Sequence, residues 1–113
     1  MEYELKVYET KDGKIPFNDW LLDLSDIKAR QNIRARLGRM SLGNFDNCKT
    51  IDAGISELKV DFGPGYRIYF SLIGKVVVLL LCAGSKRTQS KDIEKAKNYL
   101  QDYKVRGPKN AKK

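Results

Sequence analysis

Histidine is missing from all 113 residues, and this absence narrows the chemistry more than any residue the chain contains. It excludes histidine-pair nucleases and Ser-His or Cys-His nucleophiles, and it removes the commonest zinc and iron ligand. Cysteine occurs only at Cys48 and Cys82, too sparse for a disulfide framework, and neither a metal nor a cofactor is expected. Cys82 falls within an apolar run, where a thiol behaves as a small buried hydrophobe. The glycines do not open a helix at the spacing of a Walker loop or a dinucleotide fingerprint. The longest apolar run falls well short of the ~20 residues of a membrane helix, and no charged-then-apolar leader opens the chain. A cytoplasmic protein with no membrane partner is expected.

What is abundant is positive charge: 22 lysines and arginines against 14 acids leave a net charge of +8. Such a field attracts polyanions, with nucleic acid, a ribonucleoprotein or an acidic protein as natural partners. The length suits one domain with its own core. We read residues 1–103 as that domain and 104–113, a basic stretch with almost no apolar content, as a flexible tail.

Strand period dominates the centre of the chain. Leu58, Val60 and Phe62 alternate with Glu57, Lys59 and Asp61; after Gly63-Pro64-Gly65, Tyr66, Ile68, Phe70 and Leu72 alternate with Arg67, Tyr69 and Ser71. Val76 to Ala83 is apolar without alternation, which predicts an internal strand covered on both faces. An antiparallel hairpin brings Lys59 and Arg67 onto one face with Tyr69 beside them, and Lys86 and Arg87 follow the internal strand. Whether those later cations converge on Arg67 depends on register.

Around this centre, Tyr3, Leu5 and Val7 alternate as a first strand. Pro16, Phe17, Trp20, Leu21 and Leu24 have the pattern of a short amphipathic helix. Ser25-Asp26 offers a cap for a second, arginine-decorated helix with Ile27, Ile33, Leu37 and Met40 on its apolar side and Gly43 at its end. Phe45 to Thr50 reads as a loop. A last helix, capped by Thr88 or Ser90, carries Ile93, Ala96, Leu100 and Tyr103 as its stripe. The order predicts an α+β fold: a mainly antiparallel sheet with an N-terminal strand, a helical hairpin, three further strands and a C-terminal helix.

PFNDWLLDL at 16–24, SELK at 56–59 followed by GPGYRIYF at 63–70, and GSKRTQSKDIEKA at 84–96 together resemble the RelE/ParE superfamily of bacterial toxins, in particular its HigB-like addiction-module killer proteins. The resemblance implies a RelE-like fold and a toxin of a type II toxin-antitoxin system, restrained by a cognate antitoxin. For RelE- and HigB-like members it also implies an endoribonuclease that cuts mRNA on the ribosome. Matched motif by motif, it assigns catalytic roles to Lys59, Arg67 and Arg87, and places Lys86 and Gln89 in the subgroup's motif. Tyr69 is read as a substrate-positioning or base-stacking residue.

Such a nuclease sends a 2′-hydroxyl against the adjacent phosphate, and the cations offset the charge that develops there. Tyr69, Glu57 and Asp92 remain alternative proton acceptors. Two rival readings exist: a non-enzymatic ParE-like inhibitor of DNA gyrase, and a basic nucleic-acid-binding module without toxicity.

Overall fold

A computed structural model of the chain describes residues 2–52 and 54–107. They form an α+β domain with three helices and one five-stranded mixed sheet. In chain order the elements are β1 (Glu4–Val7), α1 (Pro16–Asp23), α2 (Ile27–Ser41), β2 (Cys48–Asp52), β3 (Ile55–Val60), β4 (Tyr66–Ile73), β5 (Val77–Ser85), a 3-10 turn (Lys86–Thr88) and α3 (Gln89–Arg106). The sheet order is β1-β5-β4-β3-β2. Only the β1–β5 pair is parallel; the others are antiparallel.

The unalternating apolar run of β5 follows from cover on both faces. On one face Val78, Leu80 and Ala83 join Phe17 and Leu21 of α1 and Ala29, Ile33, Leu37 and Met40 of α2. On the other, Leu79, Leu81 and Cys82 join Tyr69 and the α3 residues Ala96 and Leu100. Leu81 and Cys82 share a face because the β4–β5 register shifts between Tyr69 and Phe70, which oppose Cys82 and Leu80. The extra residue is a β-bulge.

Several local expectations change. Phe45 to Thr50 is not wholly a loop, since β2 begins at Cys48 and makes a fourth strand after the helical pair. It is an edge strand with no buried residue, so it lacks the apolar alternation that marks a strand in sequence. In α2 the buried positions include Ala29, whereas Ile27 is left 60% exposed. The Asp26 carboxylate caps this helix by accepting from the Ala29 amide at 3.1 Å.

The predicted domain boundary at Tyr103 falls inside α3, which continues through Arg106. Arg106 holds that last turn down, donating to Asp102 Oδ2 at 2.9 Å and to the Glu9 carbonyl at 2.6 Å. Tyr8 donates to the same Asp102 oxygen at 2.5 Å. Gly107 then ends the helix with φ of 76°, a left-handed conformation that suits glycine. Residues 108–113 of the expected tail lie outside the described residues. No helix among the described residues is long and apolar enough to cross a membrane.

Candidate functional site

The β3–β4 hairpin builds the site. Its turn reverses through Gly63 and Gly65, at φ of 56° and 88°, and delivers Lys59 and Arg67 directly opposite one another. The Lys86 amide donates to the Gly65 carbonyl at 3.2 Å, tying the exit of β5 to the same turn. Lys59, Arg67 and Lys86 thereby line one open cleft of about 310 Å³, together with Asp61 and Tyr66. An adjoining hollow of about 350 Å³ shares Lys59, Asp61 and Arg67 and adds Lys49 and Glu57. Like-charged neighbours of this kind raise the local affinity for anions.

Beneath the rim the arginine is anchored. Arg67 Nη1 stands 2.9 Å from Glu57 Oε2, with side-chain exposures of only 11% and 1%. The second carboxylate oxygen accepts from Gln89 Nε2 at 2.9 Å. Both Glu57 oxygens are thus engaged, so the buried charge is paired and hydrogen-bonded, as its removal from water requires. The pair fixes the guanidinium at the cleft wall.

The structure therefore gathers Lys59, Arg67 and Lys86 and treats the remaining predicted site residues differently. Arg87 is exposed, is absent from the lining of both hollows, and donates its amide to the Ser85 hydroxyl at 3.3 Å. Gln89 spends its amide group on Glu57. Tyr69 is wholly buried under α3, and its hydroxyl has no hydrogen-bond partner. Burial first, then the Glu57 and Asp92 charges, push its pKa far above the usual phenol value. It cannot stack on a substrate or accept its proton, and that expectation is corrected.

Of the other two carboxylates considered as proton acceptors, Glu57 is engaged as described. Asp92 is buried and accepts from Thr88 Oγ1 at 2.5 Å. Asp61 was not singled out from the sequence, yet it is exposed and lines both hollows. Its signal was the strand alternation that puts it in phase with Glu57 and Lys59.

The start of α3 is seated by a missing side chain. A Cβ on Gly84 would lie 1.9 Å from Asp92 Oδ2 and 2.7 Å from Thr88 Oγ1. Glycine there lets the helix approach β5 closely enough for Gln89 to reach Glu57.

Thiol chemistry finds no support. Burial raises the Cys48 thiol to about 11 and the Cys82 thiol to about 12, leaving both protonated near neutrality. Among the described residues, no three potential metal-ligating histidine, cysteine or acidic side chains cluster.

No protein-family model matches the chain. A protein of Haemophilus influenzae (strain ATCC 51907 / DSM 11121 / KW20 / Rd), described as an uncharacterized protein, is 43% identical to it over 88 residues. That alignment covers 78% of this chain and 89% of the relative.

Proposed function

We propose, for a chain that belongs to one family with the uncharacterized Haemophilus influenzae protein, that it is the toxin of a type II toxin-antitoxin system and acts as a ribosome-dependent mRNA endoribonuclease. The reading treats the arrangement as RelE-like and rests on the motif resemblance described above. The observation that carries it is the convergence of Lys59, Arg67 and Lys86 on one open cleft, with Arg67 held in place by a buried carboxylate.

In the proposed reaction the RNA phosphate sits against these cations. The 2′-hydroxyl attacks its phosphorus, the bond to the 5′-oxygen of the next nucleotide breaks, that oxygen leaves as a hydroxyl after taking a proton from solvent water, and the cations stabilise the charge gathered on the phosphoryl oxygens. Asp61 is the exposed carboxylate of the cleft and takes the 2′-hydroxyl proton. Arg87, exposed in the middle of the 3-10 turn, serves the approach of the RNA backbone rather than the cleft itself. Since few acid-base groups are present, orientation of the message by the ribosome supplies much of the acceleration. A cognate antitoxin restrains the protein in the cytoplasm.

The test is protein synthesis in a bacterial translation reaction, with a DNA supercoiling assay run in parallel. Wild-type protein should stop synthesis and spare supercoiling. Lys59→Ala, at an exposed position, should keep the fold and lose most of the inhibition. Inhibited supercoiling with translation intact would instead support a gyrase inhibitor.

A further inference from the structure

A second hollow adjoins the cationic cleft. The register of β1 along β5 ends at Val7 opposite Leu80, whereas β4 stays paired with β5 as far as Ser85. Beyond Leu80, β5 therefore has a strand neighbour on one side only. On the other side a groove of about 460 Å³ opens between α1 and α3. Trp20 of α1 and Leu24 at its C-terminal cap form one wall, Tyr66 and Ala83 the sheet wall, and Lys91, Asp92 and Lys95 the α3 wall, where Asp92 is already engaged by Thr88.

The composition of the walls points to a ligand. Trp20 is only partly buried and stands edge-on to Tyr66, with ring centroids 5.7 Å apart. Lys91 and Lys95 are exposed, one helical turn apart. Tyr66 lines this groove and the cationic cleft alike, and Ser85 of the groove directly precedes Lys86 of the cleft. Aromatic surface thus lies between two sets of cations, the order in which a nucleotide presents a base between two phosphates. The groove falls in the size range of small-ligand sites, and a base is the flat apolar body that such a wall accepts.

We propose that this groove is a nucleobase subsite. It takes one unstacked base of a single-stranded RNA whose phosphate on one side lies against Lys59, Arg67 and Lys86. Lys91 and Lys95 meet the phosphate on the other side of the same nucleotide. The proposal rests on the phosphate reading of the cleft and adds the nucleoside that the cleft's neighbour recognises. Ala83 and Ser85, on the stretch of β5 beyond its pairing with β1, line the groove floor.

Trp20 is the only tryptophan of the chain, so its fluorescence reports on the groove directly. The probe is a 2′-O-methyl RNA trinucleotide, which cannot undergo cleavage by its own 2′-oxygen, compared with the same chain abasic at the central position. The trinucleotide should quench the indole, and the abasic chain should bind roughly 5- to 150-fold more weakly, the worth of a base–aromatic stack, without quenching. Lys91→Ala/Lys95→Ala and Lys59→Ala should each weaken binding severalfold while leaving the far-ultraviolet spectrum unchanged. Binding that depends on Lys59 but leaves the indole undisturbed overturns the subsite and keeps the phosphate cleft. Quenching indifferent to Lys59→Ala overturns both the cleft reading and the placement of the base beside it. An acidic leucine-containing peptide that quenches where the trinucleotide does not overturns the subsite in favour of a protein partner.

Discussion

Glu57 holds Arg67 at the wall of the cationic cleft, carboxylate Oε2 to guanidinium Nη1 at 2.9 Å, and is itself almost wholly buried. A buried pair of this kind gives little net stability relative to an apolar pair, yet loss of one member leaves the other charge uncompensated. Glu57→Ala should therefore lower the unfolding free energy by about 3–5 kcal/mol. Arg67→Ala should do likewise, and the double variant should lose much less than the sum of the two. Urea unfolding measures all three, and additive losses would show that the pair is not coupled.

Gly84 makes the same point for the helix that carries Gln89. A methyl group there collides with the Asp92 carboxylate. Gly84→Ala should cost about 1–3 kcal/mol, the usual range for overpacking. Combining it with Asp92→Ala should recover part of that loss in a thermal melt, because the obstructing group is gone. No recovery would place the obstruction elsewhere.

Tyr69 offers a substitution expected to cost nothing. Its hydroxyl is buried without a partner, so Tyr69→Phe removes a polar group that gains no hydrogen bond in the folded state. Stability should stay level or rise by about 1 kcal/mol, within the desolvation cost of one such group, and translation inhibition should be unchanged. A sharp loss of inhibition at full stability would restore the tyrosine to the site.

Stability should fall at both pH extremes through the contact of Tyr8, just after β1, with α3. Arg106, then Tyr8, hold Asp102 below its ordinary value of 3.8 by hydrogen bonding. A depressed folded-state pKa adds stability above the unfolded value, and that stability is lost as pH falls through the folded one, so this part disappears below about pH 4. Tyr8 is raised from 10.0 to about 12, by burial first and by its bond to Asp102 second. A raised pKa adds stability in full below 10 that is lost as pH climbs towards 12. Thermal melts of wild type and Tyr8→Phe across pH 9 to 12 test the alkaline limb. The variant's decline should be the shallower, and parallel curves would remove Tyr8 from it.

The elements easiest to read from the chain were those whose neighbours impose a period. Leu58, Val60, Tyr66 and Ile68 alternate because one face of β3 and β4 meets α1 and α2, and the same alternation put Lys59 and Arg67 on one face, where the hairpin register sets them opposite one another. β2 left no such mark because it is an exposed edge. The burial of Tyr69 was illegible for a different reason: its cover comes from α3, whose approach depends on the absent side chain of Gly84 and on a bulge at Leu81. Arg87 illustrates the same limit, since the turn that takes Lys86 to the cleft leaves its neighbour outside the lining. The end of α3 was hidden because Lys104, Val105 and Arg106 carry little apolar signal, and the last turn is held by the long-range contacts of Arg106 with Glu9 and Tyr8.

The most direct measurement is the chemistry of the cut ends of an mRNA incubated with ribosomes and the protein, with Lys59→Ala and Asp61→Asn alongside. Attack by the 2′-hydroxyl leaves a 2′,3′-cyclic phosphate on one fragment and a 5′-hydroxyl on the other. These ends should form only with ribosomes present and should fall steeply in both variants. Fragments ending in a 3′-hydroxyl and a 5′-phosphate, or a message left intact by folded wild-type protein, would contradict the cleft's proposed role.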